Sequence, residues 1–124
     1  MTARIMLVDD TAFMRRMLRD ILTKEGFEVI AEAANGREAV AAYRKARPDL
    51  VIMDITMPEM DGIAATSEIV DEDAAARILM CSALGQQELI IEALEAGGLD
   101  FVVKPFLPAK VLEAVRKVLE YERV

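Results

Sequence analysis

The 124-residue chain contains no histidine and a single cysteine. Without histidine it lacks the usual acid–base group of neutral pH, the usual partner of a serine or cysteine nucleophile, and the commonest zinc ligand. Cys81 lies in the apolar run "ILMCSA", which favours a small buried side chain over a reactive thiol. One cysteine cannot form an intramolecular disulfide, which favours a reducing compartment. A metal site therefore depends on oxygen ligands, which suit Mg²⁺ or Ca²⁺.

Basic charge and long apolar runs are also missing. The net charge is −7, so the chain has no basic footprint for sequence-independent nucleic-acid binding. No apolar run approaches the roughly 20 residues that span a bilayer, and no signal peptide opens the chain. We therefore expect a cytoplasmic protein that binds neither nucleic acid nor membrane. The hydrophobic content of 54% is ample for one core, and the length suits a single domain over residues 1–124.

Apolar runs alternate with segments of helical periodicity along the whole chain. The run "LVIM" is continuous, which is typical of a central parallel strand. In "FEVIAEAA" the apolar side chains fall on one parity and the glutamates on the other, which is typical of an edge strand. The predicted strands are 4–8, 27–34, 50–53, 77–83 and 99–103, and the predicted helices are 11–26, 37–46, 63–71, 85–98 and 108–121.

Strict alternation of strands and helices predicts a parallel sheet covered by helices on both faces. The expected α/β fold is the doubly wound, flavodoxin-like (βα)5 three-layer sandwich with strand order 2-1-3-4-5, and the edge-like second strand fits that order. The chain then reverses direction between strands 1 and 3. The crevice at the carboxyl ends of those two strands is where such sheets bind ligands.

Acidic residues end the two strands that border this crevice. Asp9 and Asp10 end strand 1 in "IMLVDD", and Asp54 ends strand 3 in "LVIMD". Ser82 ends strand 4 and Lys104 ends strand 5, so both line the same rim. Adjacent carboxylates repel, and their burial is costly unless a cation neutralises them. We therefore expect a divalent cation among the acids and, without metal, at least one raised carboxyl pKa.

Together these groups predict a phosphoryl site. Mg²⁺ prefers few protein carboxylates, several waters and phosphate oxygens. The metal and Lys104 would offset the charge on a transferring phosphoryl group. Asp54 is the natural nucleophile, because carboxylates are known to form aspartyl phosphates.

Simpler roles compete with this interpretation. One of Asp9 and Asp10 could be a helix cap or turn residue. Ser82 could be a buried hydroxyl bonded to the backbone, and Lys104 could be a solvated surface charge. Asp61 is expected to be a turn residue without chemistry. The phosphoryl site is preferred because the acids, the hydroxyl and the ammonium group all fall on one rim of one predicted sheet.

The motifs "LVDD", "MDITMPEMDG", "CSA" and "FVVKPF" resemble, in order and spacing, the receiver domain of bacterial two-component response regulators. The likeness covers nearly the whole chain and is greatest to the single-domain CheY type of chemotaxis regulator. The resemblance implies a signalling switch that takes part in its own Mg²⁺-dependent phosphorylation and dephosphorylation, not an enzyme in the ordinary sense. The donor would be a phosphohistidine on a sensor histidine kinase, which accounts for the absence of histidine here.

The resemblance also implies a role for each residue of the rim. Asp54 would accept the phosphoryl group. Asp10, Asp54 and the backbone carbonyl of Thr56 would ligate Mg²⁺, while Asp9 would act through a metal-bound water. Lys104 would contact the phosphoryl oxygens.

A switch is implied by two further positions. Ser82 would swing its hydroxyl towards the phosphate, and Phe101, where tyrosine is common in the CheY type, would turn inward with it. The Lys104–Pro105 peptide matches a bond that is cis in the family, although the sequence alone favours trans. The changed packing would alter the face formed by helix 4, strand 5 and helix 5, which would bind the target.

The implied target is the flagellar motor switch protein of chemotaxis, with a phosphatase as a further partner and a monomer as the expected state. Because the chain stops soon after helix 5, we expect a module that stands alone. A phosphorelay intermediate and a receiver cut from a longer regulator remain alternatives.

Two rivals come from other classes. A Mg²⁺-dependent phosphatase of the haloacid dehalogenase type also uses a strand-end aspartate, a hydroxyl, a lysine and an acidic pair. Its hallmark is Asp-x-Asp, whereas Thr56 stands at the second position here, and the chain lacks room for a substrate cap. The other rival is a metal-binding scaffold that is never phosphorylated.

Overall fold

The computed structural model describes residues 2–121. Strands and helices alternate strictly within this range, as predicted, and no helix in it is both long and apolar enough to cross a membrane. The largest difference in bounds is at the fourth helix, which is shorter at both ends than the predicted 85–98. The elements are β1 Arg4–Val8, α1 Ala12–Lys24, β2 Glu28–Ala33, α2 Gly36–Ala46, β3 Leu50–Asp54, α3 Gly62–Glu72, β4 Ile78–Ser82, α4 Gln87–Glu95, β5 Asp100–Val103 and α5 Pro108–Glu120.

The strands form one parallel sheet in the order β2-β1-β3-β4-β5, which confirms the predicted flavodoxin-like arrangement. In the central ladders Val8 pairs with Met53, and Asp54 pairs with Cys81. This register ends β1, β3 and β4 at nearly the same level. The polar residues at the carboxyl ends of these strands are therefore brought to one edge of the sheet.

Two apolar cores cover the two faces of the sheet. In β1, Ile5 and Leu7 pack into the core beneath α1 and α5, whereas Met6 and Val8 pack into the core beneath α2, α3 and α4. Every residue of β3 and β4 is buried. The continuous apolar runs of these strands are explained by burial on both faces, and the result is the predicted three-layer sandwich.

β2 lies at the edge of the sheet, as its sequence pattern predicted, but a β-bulge interrupts it. Ile5 and Met6 of β1 pair with Val29 and Ala31, so Ile30 is an extra residue. The apolar side chains before the bulge pack into the α1–α5 core, and those after it pack into the α2–α4 core. The apolar residues at alternate positions therefore face one side of the sheet before the bulge and the opposite side after it.

Three helices begin with a side-chain cap, at Thr11, Asn35 and Asp61. Asp61 Oδ1 accepts a hydrogen bond of 2.8 Å from the backbone N–H of Ala64. The residue expected to be a turn residue is thus the N-cap of α3, where its side chain satisfies one of the free N–H groups of the first turn.

The loop after β3 folds back onto the strand at Gly62. Its backbone N–H donates a hydrogen bond of 2.7 Å to the carbonyl oxygen of Ile55. A Cβ at this position would lie 1.9 Å from the carbonyl oxygen of Asp54, which no side chain tolerates. Glycine is therefore required for the loop to reach the position that frames Asp54.

We predict that Gly62→Ala lowers the free energy of unfolding by about 3 kcal/mol or more, because the backbone has to move to relieve the overlap. Gly26→Ala is the matched control. Gly26 has φ +86° and no atom within 4 Å of a built Cβ, so only the left-handed backbone penalty of about 1–2 kcal/mol applies. Urea unfolding followed by circular dichroism measures both. Equal losses in the two variants would contradict the close approach.

Candidate functional site

Three carboxylates meet at the edge of the sheet where β1 and β3 end side by side. Asp9 and Asp10 follow β1, and Asp54 is the last residue of β3. One oxygen of each carboxylate lies within 4.8 Å of the others. This all-oxygen donor set fits a hard divalent cation such as Mg²⁺ or Ca²⁺. The structure thus brings together the acids that the sequence placed at the ends of two separate strands.

Asp54 lies at the bottom of this crevice and is only 5% exposed. Burial raises the pKa of Asp54 to about 6, the charge of Asp9 adds to the rise, and Lys104 opposes it. The lysine Nζ lies 3.2 Å from Asp54 Oδ2. Above about pH 6 the carboxylate is therefore mostly ionised and available as a nucleophile, although its negative charge is only partly compensated.

Lys104 places its ammonium group between two of the carboxylates. Its Nζ lies 2.9 Å from Asp9 Oδ2 and 3.2 Å from Asp54 Oδ2. Burial by itself lowers the pKa of Lys104, but the two carboxylates outweigh burial and raise that pKa above its usual value. The alternative interpretation of Lys104 as a solvated surface charge is therefore wrong. The Lys104–Pro105 peptide is cis, whereas the sequence alone favoured trans.

Asp9 and Asp10 differ in exposure and in hydrogen bonding. Asp9 is buried, and its Oδ1 accepts hydrogen bonds from the Thr11 backbone N–H at 2.9 Å and hydroxyl at 3.1 Å. Its Oδ2 accepts from Lys104. Asp10 is exposed, and Thr11 rather than either acid caps α1. Because the oxygens of Asp9 are already engaged, the geometry favours Asp10 as the acid that is free to ligate directly.

Arg15 holds the end of β1 in place, and sequence reasoning missed this role. Its Nη1 donates to the carbonyl oxygen of Asp9 at 2.5 Å, and its Nε donates to Glu32 Oε1 at 2.8 Å. Arg19 also pairs with Glu32, and the two arginines, Arg19 foremost, lower the pKa of that carboxyl. The available signal was the i, i+4 spacing of two arginines beside a glutamate on the edge strand.

Ser82 is completely buried, and its Oγ has no hydrogen-bond partner among the described residues. The sequence allowed a hydroxyl bonded to the backbone, and that interpretation is wrong. An unpaired buried hydroxyl costs about 1–3 kcal/mol, so a group that arrives in the crevice and accepts a hydrogen bond from this hydroxyl would recover that cost.

The neighbouring Cys81 is part of the core, where burial raises the pKa of the thiol above its usual range, as expected for an inert cysteine.

Phe101 of β5 faces outward and is 39% exposed. The Phe101 side chain is therefore not in the inward position that is expected of the switched state. Large apolar side chains from α4 and from the loop before α5 are also exposed, and these are Ile91, Leu94 and Leu107. Together they give the face of α4, β5 and α5 an apolar character.

Thr56 lies two residues beyond Asp54, in the loop after β3. Its hydroxyl accepts a hydrogen bond of 3.0 Å from Gln86 Nε2, and Gln86 Oε1 accepts one of 2.7 Å from the backbone N–H of Ala83. Sequence reasoning missed Gln86, because a glutamine in the polar stretch "LGQQE" carries no distinctive signal. The role predicted for the backbone carbonyl of Thr56 stays a prediction.

Known proteins are similar to this chain in sequence, and solved structures are similar to it in fold. A profile of the response regulator receiver domain matches residues 5–116. The chemotaxis protein CheY of Bacillus subtilis strain 168 is 61% identical over 119 residues, which cover 96% of this chain and 99% of that protein. The CheY protein of Thermotoga maritima is 58% identical over 118 residues, covering 95% and 98%. A chain of the CheX-CheY-BeF3-Mg²⁺ complex from Borrelia burgdorferi matches with a TM-score of 0.91 and 43% identity, over 96% of this chain and 90% of that one.

Asp54→Asn is predicted to raise the free energy of unfolding at about pH 7.5 in the absence of Mg²⁺. The pKa of Asp54 in the folded state, about 6, lies above the ordinary value of 3.8, so the folded state loses stability as the pH rises from about 4 to about 6 and the loss is complete above that range. One pKa unit corresponds to about 1.4 kcal/mol, so the gain reaches about 3 kcal/mol at neutral pH and disappears below about pH 4.

Urea unfolding in a chelating buffer, repeated between about pH 4 and pH 8, measures this gain. Asp71→Asn, at an exposed position of α3, is the matched control and should show no comparable pH dependence. A gain for Asp54→Asn that is the same at both ends of the range would contradict the raised pKa.

Proposed function

The chain belongs to the response regulator receiver domain family, and we propose that it is a CheY-type switch activated by phosphorylation of Asp54. The proposal treats residues 1–124 as one receiver domain. The observation that carries it is the buried Asp54 carboxylate, flanked by Lys104 and two further acids at the point where the strand order reverses. A phosphoacceptor needs an ionised nucleophile, a fixed positive charge and ligands for a cation, and this crevice offers all of them.

In the proposed reaction an oxygen of Asp54 attacks the phosphorus of a phosphohistidine on a partner protein. A P–O bond forms, the P–N bond breaks, and the imidazole leaves with its electron pair and takes a proton from solvent. Lys104, already 3.2 Å from the carboxylate, would neutralise part of the charge on the incoming phosphoryl oxygens. Burial of Asp54 would limit access of water to the acyl phosphate.

Asp10, Asp54 and the backbone carbonyl of Thr56 are proposed to hold Mg²⁺, with Asp9 acting through a bound water. When bound, the cation supplies Lewis-acid stabilisation of the transferring phosphoryl group. Two observations support this assignment. The carboxylate oxygens lie within 4.8 Å of one another, and the CheX–CheY complex from Borrelia burgdorferi contains Mg²⁺. The direct role of Asp10 agrees with its exposure, and the indirect role of Asp9 agrees with its bonds to Lys104 and Thr11.

Phosphorylation is proposed to act through Ser82 and Phe101. The phosphoryl group at Asp54 would offer the unpaired Ser82 hydroxyl an acceptor, and the movement of Ser82 would open space for Phe101 to turn inward. The face of α4, β5 and α5 would then change shape and bind its target. The outward Phe101 of this structure represents the unphosphorylated arrangement in this scheme.

The proposed donor is a sensor histidine kinase in the cytoplasm. The chain itself has no histidine, so the phosphoryl-bearing imidazole must come from the partner. The relatives named as chemotaxis proteins support the flagellar motor switch as the target, and a phosphatase is proposed to reset the monomeric switch. A phosphorelay intermediate or a receiver within a longer regulator would use the same phosphoacceptor chemistry and differ only in its target.

Family membership decides against the haloacid dehalogenase-type phosphatase. The site agrees, because Thr56 stands where the acid–base carboxylate of that class would be needed. Within residues 2–121 all strands and helices belong to one sandwich, with no separate cap over the crevice. Receiver domains of the CheY type are signalling switches rather than conventional enzymes.

Incubation with acetyl phosphate and Mg²⁺ is predicted to add one phosphoryl group, because Asp54 is the only proposed nucleophile and the metal is required to offset charge. Intact mass spectrometry measures the labile gain. Asp54→Asn and a chelator should each abolish it. Asp10→Asn should require at least about tenfold more Mg²⁺, since a direct ligand is lost.

Asp71→Asn is again the matched control, because it removes an exposed carboxylate away from the crevice. Its Mg²⁺ requirement should equal that of the unaltered chain. No adduct under any condition would leave the metal-binding scaffold as the surviving interpretation, and retention of the adduct in Asp54→Asn would refute the assigned acceptor.

Ser82→Ala is predicted to leave the unphosphorylated fold equally or more stable, because the hydroxyl that is removed has no hydrogen-bond partner within residues 2–121. The same change should prevent the phosphorylation-dependent change in hydrogen exchange of α4 and β5 while Asp54 still accepts the phosphoryl group. Thermal unfolding and hydrogen-exchange mass spectrometry test the two parts. A loss of more than about 1 kcal/mol in the resting protein would mean that Ser82 has a structural partner.

A further inference from the structure

One side-chain amide connects the two loops that frame the crevice. Gln86 Nε2 donates to the hydroxyl of Thr56, in the loop after β3, and Gln86 Oε1 accepts from the backbone N–H of Ala83, in the loop after β4. Because a backbone N–H can only donate, the amide orientation is determined by its partners. The distances of 3.0 and 2.7 Å are those of ordinary hydrogen bonds.

The bond to Ala83 restrains the residue on which the switch depends. Ala83 directly follows Ser82, whose own carbonyl oxygen accepts from the Lys104 backbone N–H at 2.8 Å. The backbone of Ser82 is therefore held on both sides, while its hydroxyl has no partner among the described residues. The Ser82 hydroxyl can rotate without breaking these bonds. The loop after β4, in contrast, cannot move away from the loop after β3 until the hydrogen bonds of Gln86 break.

The helix that follows has few buried side chains. Gln86 is the N-cap residue of α4, yet its side chain makes no cap bond to the helix and is used for the bridge instead. Ala93 is the only buried residue of α4. Leu89 and Ile90 pack against the same core but are only partly buried, so the bridge adds to a modest amount of packing in locating the beginning of this short helix.

We propose that Gln86 is a latch that holds the loop after β4 against the loop after β3 in the unphosphorylated protein. This inference rests on the proposed function. Gln86 is a positioning residue, because it acts through Ser82 and α4 and does not touch the phosphoryl group. Two neutral hydrogen bonds bias a two-state equilibrium by about tenfold. Release of the latch would let the loop and α4 adopt the switched arrangement, so its loss should favour phosphorylation.

The resting protein provides the first test, without phosphoryl donor or metal. Gln86→Met keeps the length of the side chain and removes both hydrogen bonds, so it should speed amide hydrogen exchange at Ala83 by about tenfold. The exposed neighbour supplies the matched control, and Gln87→Met should leave that rate unchanged. Gln86→Glu should rescue slow exchange, since a carboxylate accepts from both the Ala83 N–H and the Thr56 hydroxyl.

The connection to Thr56 is tested by combining two changes. Thr56→Val alone should speed exchange at Ala83 severalfold, and in the Gln86→Met background it should have no further effect. NMR measures the Ala83 amide directly. An unchanged Ala83 rate in Gln86→Met, or fully additive effects of the two changes, would overturn the latch.

The second test uses acetyl phosphate and Mg²⁺. Gln86→Met should raise the initial rate of phosphorylation about three- to tenfold, with Gln87→Met at the unaltered rate. A slower rate would overturn the latch, because Gln86 would then assist the reaction. If the unaltered chain accepts no phosphoryl group, the proposed function fails and the link to switching fails with it. The Ala83 exchange rates separate that outcome from failure of the bridge itself.

Discussion

The pairing of Lys104 with Asp9 and Asp54 is the interaction on which the rest of the site depends. One ammonium group lies within 3.2 Å of two carboxylates, and a third carboxylate stands nearby. The single positive charge makes the cluster tolerable but does not balance it, and the pKa of Asp54 remains raised to about 6. This excess of negative charge explains why the crevice suits a divalent cation, and together with burial, the larger cause, it keeps Asp54 protonated below about pH 6.

The crevice combines a rigid floor, formed by the ends of β3 and β4, with a more weakly held rim, formed by α4 and the loop before it. β3 and β4 are buried throughout, so the positions of Asp54 and Ser82 in the sheet are determined by packing on both faces. The rim is held more weakly, because Ala93 is the only fully buried residue of α4 and the preceding loop is held to the loop after β3 by the two hydrogen bonds of Gln86. In the proposed switch, a charge added at Asp54 would therefore change the arrangement of the rim while the strands beneath it stay in place.

The predictions from sequence succeeded where the controlling physics is local or follows from topology. Continuous apolar runs predicted the central strands, and helical periodicity predicted the helices, because burial imposes these patterns directly. The convergence of Asp9 with Asp54 followed from parallel strands that end at one edge. Sequence reasoning missed features that are decided by a pairing between distant segments. The bulge at Ile30 depends on the register with β1, and the requirement for Gly62 depends on its approach to the β3 backbone.

The sequence by itself determined the strand order, the two-sided core and the set of acids that share a crevice, because alternation and burial leave few ways to arrange these segments. Only the tertiary structure decided how those acids differ. It engaged both oxygens of Asp9, left Asp10 exposed, left the Ser82 hydroxyl without a partner in the part of the chain that the structure describes, and connected two loops through Gln86. These distinctions depend on distances of about 3 Å between residues far apart in the chain, and no local pattern of residue types encodes such distances.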